Sequence, residues 1–262
     1  MLRKLLRKIG YIKVMLILTI AAIIVAEILA YVVIKTFSFP YLPSTPIVTF
    51  GVTLLTTPFI SWALLKLLFD LDEMEEKMYF LATYDSMSML LRREAFFQCA
   101  TRVHHAAQQY AQSYSIAIID IDNFKSINDT YGHDGGDKII AHFGQILLDL
   151  FSLDNPVGRI GGEEFALLFP IDTENMEKEM EAIHTILHEA SIVYDGDLIG
   201  YTVSIGIFEN SIPDKITLDE ALSYADKALY EAKRTGKNKS VIYHEKIAFN
   251  DIPGRSVNLR DR

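Results

Sequence analysis

The sequence has a single cysteine, Cys99, and this excludes a disulfide bond within the chain. One cysteine fits a reducing compartment without establishing it. Basic residues are scarce in most of the chain: residues 1–69 carry a net charge of +6 and the whole chain carries −9, so the remainder carries −15. A DNA-binding surface generally needs a basic patch, and nucleic acid is therefore not an expected partner. A phosphorylated ligand would need local lysines or a divalent metal ion in this acidic part.

Apolar residues make up half of the chain, which excludes a disordered protein, but they are unevenly distributed. Two long apolar runs lie at about residues 14–34 and 47–65, and each is long enough to cross a hydrocarbon layer of about 30 Å as a helix. A signal peptide is the alternative for the first run, but that run is longer than usual and a second one follows closely. We predict a membrane anchor with two transmembrane helices over residues 1–69.

Basic residues before the first run predict its orientation. They are Arg3, Lys4, Arg7, Lys8 and Lys13. By the positive-inside rule this end stays in the cytoplasm, and two crossings return the chain after Lys66 to the same side. Glu27 lies inside the first run and has two interpretations: a functional intramembrane acid, or a group close enough to the outer face to reach lipid headgroups.

An apolar residue recurs at alternating steps of three and four after the second run. The series is Leu64, Leu67, Leu71, Met74, Met78 and Leu81, which is the a/d spacing of a coiled coil. A single amphipathic helix packed on its own domain would have the same pattern, and so few heptads do not separate the two. Because a helix that leaves a membrane has little of its own domain to pack against, we predict a parallel, dimeric coiled-coil linker over residues 64–81.

From residue 82 onward, helical and strand-like segments alternate. The apolar strand "SIAIID" ends at Asp120, "YTVSIGIF" is another strand, and helices are expected near residues 135–150, 175–190 and 218–233. This alternation predicts one α/β sandwich over residues 82–244. The remaining residues, 245–262, are predicted to be a loose tail.

The segment "RIGGEEFALLF", residues 159–169, places two glycines and two glutamates between strand-like runs. Gly-Gly between strands is typical of a hairpin, and a solvated turn would explain the polar residues equally well. If this hairpin lay beside the strand that ends at Asp120, the Asp120 carboxylate, the Ile121 carbonyl and the Glu163 carboxylate would suit a hard cation such as Mg²⁺. The residues alone therefore raise the hypothesis of a divalent metal site.

Four motifs in a fixed order resemble a known family. They are "DIDNFKSINDTYGHDGGD", "RIGGEEF", "TVSIGI" and "ADKALYEAKRTGKNK", and they are similar to those of the GGDEF domain, the catalytic domain of diguanylate cyclases. The resemblance runs from about residue 85 to residue 243. It implies a nucleotidyl cyclase or polymerase-palm-like α/β sandwich with a central, mainly antiparallel sheet, here preceded by two transmembrane helices. It also implies condensation of two GTP into cyclic di-GMP by a homodimer at the bacterial inner (cytoplasmic) membrane.

The resemblance assigns roles to individual residues. Two Mg²⁺ or Mn²⁺ ions per GTP site would be held by Asp120, the Ile121 carbonyl and Glu163. The substrate-binding residues would be Asn128 and Asp137 at the guanine, Lys233 and Lys237 near the phosphates, and the Gly161–Gly162 turn. The catalytic residues would be Glu163, Glu164 and Lys125, which also matches a position near the phosphates; the role of Glu164 is left open.

Some of these residues have structural alternatives. His133 stands beside the predicted guanine site and is included among the substrate-binding residues, but a structural hydrogen bond is favoured over metal ligation. Asp122 could hold only a local loop. Asn128 and Asp129 could be turn residues, since "ND" is typical of turns. The four histidines on predicted helices, His104, His105, His184 and His188, are most simply surface or packing residues.

Three places depart from the family pattern. The inhibitory RxxD site is replaced by "SLDN", Ser152–Asn155, which lacks the arginine that would grip a cyclic dinucleotide, so product feedback through this site is not expected. The segment "DSMSMLLRRE" has Met89 where the family has glycine and Arg92 where it has asparagine. Lys237 stands where arginine is common. The altered segment supports an alternative function, a catalytically weak GGDEF module that binds GTP or other proteins.

Overall fold

The computed structural model describes residues 11–37, 45–151, 155–170, 173–211 and 215–244. Several features of the sequence lie outside these residues. They are the basic residues before Tyr11, the middle of the loop between the apolar runs, the first three residues of "SLDN", and the tail from residue 245. The chain divides into two compact units, residues 1–78 and residues 79–262.

The first unit is built from two long apolar helices. Helix α1 spans Tyr11–Phe37, and helix α2 spans Thr45–Thr83, so that the last residues of α2 belong to the second unit. Within them, Thr19–Thr36 and Pro46–Thr83 have mean hydropathies of 2.0 and 1.6. Both helices are long and apolar enough to cross a membrane, judged by length and composition alone.

Glu27 has a hydrogen-bond partner within the first unit. The hydroxyl group of Thr49, on α2, donates to Glu27 Oε1 at 2.7 Å. A carboxyl group in an apolar segment is costly without such a partner. The contact therefore gives Glu27 a place between the two helices of this unit.

The second unit is an α/β domain whose elements follow α2 in this order: β1 (Leu91–Arg92), α3 (Arg93–Tyr110), β2 (Tyr114–Ile121), α4 (Phe124–Leu150), β3 (Val157–Arg159), β4 (Glu164–Phe169), α5 (Thr173–Glu189), β5 (Ile192–Tyr194), β6 (Asp197–Ile199), β7 (Val203–Asn210), α6 (Leu218–Arg234) and β8 (Lys239–Ile242). The main sheet has the order β1-β3-β4-β2-β7-β8, and β5 and β6 form a separate hairpin. The outer pairs β1–β3 and β7–β8 are parallel and the three central pairs are antiparallel. The prediction of an α/β fold with a mainly antiparallel sheet is confirmed.

Strand β2 lies in the middle of the sheet, and all eight of its residues are buried. Ile119 and Ile121 belong to a core shared with α4 and α5, whereas Ile116 and Ile118 belong to a core shared with α3 and α6. Because side chains alternate along a strand, one apolar run supplies both cores. Helices thus cover both faces of the sheet, and polar groups of β2 can reach solvent or ligand only at the ends of the strand.

Helix α4 begins earlier than the sequence predicts. It starts at Phe124 rather than near residue 135, and Gly132 interrupts it with φ 73° and ψ 174°, so two helical segments meet at a kink. Asn128 and Asp129 lie in the first of these segments. The turn that was considered for them is therefore wrong.

Candidate active site

The glycine-rich hairpin lies directly beside the end of β2. In the antiparallel pairing of β2 with β4, Asp120 is opposite Glu164, and the backbone N–H of Ile121 donates to the carbonyl of Glu163 at 3.2 Å. The sheet thereby gathers three carboxylates, of Asp120, Glu163 and Glu164, which we call the acid cluster. This is the neighbour relation on which the hypothesis of a metal site depended.

Asp120 is the buried member of the acid cluster, with 6% of its surface exposed. Burial raises the pKa of Asp120 to about 6, and the nearby charges of Glu163 and Glu164 add to the rise. Lys233 Nζ, on α6, lies 2.6 Å from Asp120 Oδ2. Its positive charge lowers the pKa of Asp120, but by less than burial and the glutamates raise it. The cluster therefore keeps a negative potential that a further cation would relieve.

The available donors suit a hard divalent ion. Two carboxylates, from Asp120 and Glu163, and the Ile121 carbonyl are all oxygen ligands, which Mg²⁺ and Mn²⁺ prefer. Across the part of the chain that the structure describes, no group of three His, Cys, Asp or Glu side chains is arranged to hold a metal ion. The predicted set is compatible with that finding, because one of its three ligands is a backbone oxygen.

The two glycines at the hairpin tip have different surroundings. A Cβ atom on Gly161 would clash with Glu164 Oε2, since the flexible Glu164 side chain folds back over that residue. A Cβ atom on Gly162 would meet nothing within 4 Å. One glycine thus accommodates the neighbouring acid, and the other leaves the outer surface of the tip open for a ligand.

Arg159 fixes the hairpin tip through hydrogen bonds, a role that was not predicted from the sequence. Its Nε and Nη2 atoms donate to the carbonyl of Gly162 at 3.1 and 2.7 Å. Its Nη1 atom donates to Asp85 Oδ1 at 3.0 Å, and both side chains are mostly buried. The planar guanidinium group can make these contacts at once, which a lysine could not do.

Asp85 organises the altered segment, whose first residues, Asp85–Leu90, we call the Asp85 turn. Asp85 Oδ1 accepts hydrogen bonds from the backbone N–H and the hydroxyl group of Ser88, each at 2.9 Å. Burial alone would raise the pKa of Asp85, but the hydrogen bonds from Ser88 and Arg159 outweigh it and lower the pKa. Met89 adopts φ 61° at the position where the family has glycine. The turn is thus formed despite the substitutions, with one residue in a left-handed conformation.

Residues of the predicted guanine site lie around the kink of α4. The Asn128 side chain lies against Gly136, where a Cβ atom would clash with Asn128 Oδ1. Asp137 follows Gly136 directly and is exposed, as is His133. The kink therefore brings the neighbourhood of Asp137 back towards Asn128.

Two of the three predicted lysines lie at the end of β2, and the third lies on the helix that follows it. Lys233 contacts Asp120, and Lys237 Nζ lies 2.6 Å from Asn123 Oδ1. Lys125 is exposed in the first turn of α4. These positive charges provide the local basic groups that the acidic chain would need for a phosphorylated ligand.

The other polar side chains considered from the sequence have structural contacts. His104 Nδ1 lies 2.9 Å from the buried Tyr114 hydroxyl, and His184 Nε2 lies 3.0 Å from Ser240 Oγ. His184 also lines a cavity of about 560 Å³ together with His188 and Tyr201. Neither Asp120 nor Glu163 lines this cavity, so it is separate from the acid cluster.

Comparison with known proteins agrees with this geometry. An α/β domain with a GGEEF hairpin beside a buried aspartate defines the class, and residues 82–239 match the family described as "Diguanylate cyclase, GGDEF domain". The chain belongs to the GGDEF family.

Individual relatives with this domain are curated diguanylate cyclases. It is 35% identical over 168 residues to Diguanylate cyclase DgcM of Escherichia coli (63% of this chain, 40% of the relative), and 33% identical over 163 residues to Diguanylate cyclase A of Treponema denticola (61% and 44%). Among solved structures, it is similar to the coiled coil and GGDEF domain of DgcB from Caulobacter crescentus in complex with c-di-GMP, with a TM-score of 0.63 and 28% identity, covering 67% of this chain and 93% of that one. The chain spans about two fifths of the length of these curated relatives.

Proposed function

We propose that this chain is a diguanylate cyclase, which condenses two GTP molecules into cyclic di-GMP and releases two pyrophosphates. The observation that carries the proposal is the acid cluster, in which the hairpin supplies Glu163 and Glu164 beside the buried Asp120. Lys233 contacts this cluster, and the helix that follows β2 carries Asn128 and Asp137, an amide and a carboxylate suited to guanine. The match over residues 82–239 supports the same activity.

Asp120, the Ile121 carbonyl and Glu163 would hold the divalent ions, Mg²⁺ or Mn²⁺, two per GTP site. When bound, these ions supply charge neutralisation at the triphosphate and lower the pKa of the attacking hydroxyl group. The pKa of Asp120 is raised chiefly by burial and further by the charges of Glu163 and Glu164, and this supports the assignment because a bound cation would stabilise the charged form of the buried carboxyl group.

The other residues bind and orient the nucleotide. Lys125, Lys233 and Lys237 neutralise the phosphates, while Asn128 and Asp137 offer an amide and a carboxylate to the edge of guanine. The open surface at Gly162 leaves room for the nucleotide at the hairpin tip. In each condensation, the O3′ atom of one GTP forms a bond to the α-phosphorus of the other, and the bond from that phosphorus to pyrophosphate breaks.

Each domain binds one GTP, so two domains must meet face to face with their hairpins towards each other. A homodimer formed through the coiled-coil linker would bring them together. Support comes from the a/d side chains of α2, which are more than half exposed in the single chain: Leu64, Leu67, Leu71, Met74, Met78 and Leu81. An apolar stripe of this length is suited to a second copy of the same helix.

The proposed setting is the bacterial inner membrane. Residues 1–69 would form the anchor, 64–81 the linker, 82–244 the catalytic domain and 245–262 the tail, with the N-terminus and the catalytic domain in the cytoplasm. The apolar character of Thr19–Thr36 and Pro46–Thr83 supports contact with membrane lipids. The charge of −15 beyond residue 69 argues against nucleic acid as a partner. The signal, and any membrane partner that carries it, is a separate question.

A catalytically weak GGDEF module is the second candidate function. The observation that favours it is Met89, which adopts a left-handed conformation in the Asp85 turn at the position where the family has glycine. The hydrogen bonds of Arg159 to Asp85 and to the Gly162 carbonyl argue against a weak module, because they form despite the substitutions in this segment.

The two functions are separated by one assay. The full-length protein in detergent is incubated with GTP and Mg²⁺, and cyclic di-GMP is detected by chromatography, with Glu163→Gln as the inactive control. Product from the wild type and none from Glu163→Gln, with GTP binding retained, supports the cyclase. Absence of product from a wild-type dimer that binds GTP supports the binding module instead.

A further inference from the structure

Asp122 is a buried acid that the proposed chemistry does not use. It is 3% exposed, and its carboxylate accepts hydrogen bonds from three neutral donors. These are the Thr202 hydroxyl (2.7 Å, to Oδ2), the Ser204 hydroxyl (2.7 Å, to Oδ1) and the backbone N–H of Asn238 (2.9 Å, to Oδ2). The carboxylate therefore joins the end of β2 to β7 and to the loop between α6 and β8.

That loop has an unusual backbone. Gly236, Lys237 and Asn238 have φ angles of 118°, 62° and 47°, so three consecutive residues lie in the left-handed region. Lysine is disfavoured there because its Cβ atom crowds the backbone. Such a conformation persists only where the surroundings fix it. The hydrogen bond from the Asn238 N–H to Asp122 is one constraint, and the bond from the Lys237 N–H to the Ala232 carbonyl at 3.0 Å is a second.

The conformation of the loop determines where Lys237 points. Its Nζ atom lies 2.6 Å from Asn123 Oδ1, immediately after Asp122 in the chain, and Lys233 contacts Asp120 on the same strand end. If the loop were released from Asp122, the Lys237 ammonium group would lose its fixed position beside the segment that follows β2.

We propose that Asp122 is a positioning residue that holds Lys237 in the orientation needed to bind the phosphates of the nucleotide. The inference rests on the proposed function, since it assumes that Lys237 meets a triphosphate. Asp122 itself does not contact substrate. Its carboxylate is occupied by the three donors, and it acts through the backbone of the loop.

The test measures how Asp122→Asn changes the affinity of the full-length protein for two nucleotides. One is the α,β-methylene analogue of GTP, which cannot be condensed, and the other is GMP. Asparagine keeps the shape of the side chain but turns an NH₂ group towards one of the three donors. We expect the affinity for the triphosphate analogue to fall about tenfold, while the affinity for GMP changes less than about twofold. Asp197→Asn, which alters an exposed acid on β6, is the matched control and should change neither.

A double-mutant cycle distinguishes positioning from general destabilisation. If Asp122 acts through Lys237, Asp122→Asn combined with Lys237→Ala binds the analogue as weakly as Lys237→Ala alone. Additive losses, equal losses for the analogue and GMP, or wild-type affinity in Asp122→Asn would each overturn the inference. If Asp122→Asn does not fold, judged by circular dichroism, Asp122→Ser, whose shorter side chain withdraws the acceptor from the Asn238 N–H, must give the same selective loss. A wild-type protein that binds no GTP analogue would instead refute the proposed function.

Discussion

Asp120 and Asp85 are two carboxylates of one domain in opposite electrostatic situations. Each contacts one cationic side chain, Lys233 or Arg159. At Asp120, burial and the adjacent glutamates prevail and raise the pKa to about 6. At Asp85, the hydrogen bonds from Ser88 and Arg159 prevail over burial and lower the pKa. The protein therefore stabilises the charged form of the buried Asp120 only incompletely, which a bound cation would correct, whereas the hydrogen bonds around Asp85 stabilise its charged form, as a structural contact requires.

The largest expected effect comes from Asp120→Asn. Removing one proposed metal ligand should lower cyclase activity about 1,000-fold, comparable to losing a principal electrostatic group of an active site. The free energy of unfolding should not fall, because the substitution removes a buried charge that is poorly compensated. Activity is measured by cyclic di-GMP formation, and stability by thermal unfolding in the same detergent. Activity within tenfold of the wild type would contradict the assignment of Asp120.

The next effect is a pH dependence of stability. Because the folded pKa of Asp120, about 6, exceeds its ordinary value of 3.8, the folded state binds more protons than the unfolded state between these values. The contribution of Asp120 to stability is therefore greatest below about pH 4 and decreases as pH rises to 6, by at most about 3 kcal/mol. The lowered pKa of Asp85 acts with the opposite sign: its contribution is present above its ordinary pKa and is lost as pH falls.

The measurement is thermal unfolding of the wild type and Asp120→Asn from pH 4 to 7 without divalent ions. The stability of the wild type relative to the mutant should decrease as pH rises through this range. A difference that is constant or increases with pH would show that the Lys233 contact, rather than burial, controls Asp120. The comparison between the two acids would then fail.

Asp85→Asn should have the reverse pattern of Asp120→Asn. Arg159 would lose its ionic partner, and the free energy of unfolding should fall by about 2 kcal/mol, equivalent to about 4–8 °C in melting temperature. Activity should fall about tenfold, because Arg159 also holds the Gly162 carbonyl at the hairpin tip. Arg159→Lys serves as the matched control, since it keeps the charge but cannot make both contacts. If Asp85→Asn were as stable as the wild type, the contact between Asp85 and Arg159 would not stabilise the fold.

Several parts of the fold could be predicted because they depend on local pattern. Strand β2 contains the continuous apolar run Ile116–Ile119, and helix α6, Leu218–Arg234, has a clear helical period and a capping box between Thr217 and Glu220. The β5–β6 hairpin was not predicted, although Asp195-Gly196, with φ angles of 50° and 90°, is a typical hairpin turn. The turn sequence was therefore present, but the strands on either side have only three residues each, too few to show an alternating pattern.

The sequence motifs indicate candidate site residues, but they do not indicate the contacts of those residues. The hairpin motif identified Glu163 and Glu164 because they adjoin two glycines. The partners of Asp122 lie 80, 82 and 116 positions away, and Arg159 is 74 positions from Asp85. Contacts at such separations arise from the pairing of strands that are distant in the chain, such as β1 with β3, β2 with β7 and β7 with β8, which no local pattern specifies. The pKa of Asp120 likewise depends on burial between layers that only the folded domain creates.

The smallest expected effect concerns Met89, and it tests whether the Asp85 turn is strained or merely altered. Met89 has φ 61° and is 46% exposed, so replacing it with glycine relieves the left-handed conformation at little cost in packing. Allowing for the greater freedom of glycine in the unfolded chain, Met89→Gly should raise the free energy of unfolding by about 0.5–1 kcal/mol, measured as a rise of about 2 °C in melting temperature. Met89→Ala keeps the Cβ atom and should give no such gain. Equal stability of both variants would mean that the turn bears no strain, and the altered segment would then no longer support a catalytically weak module.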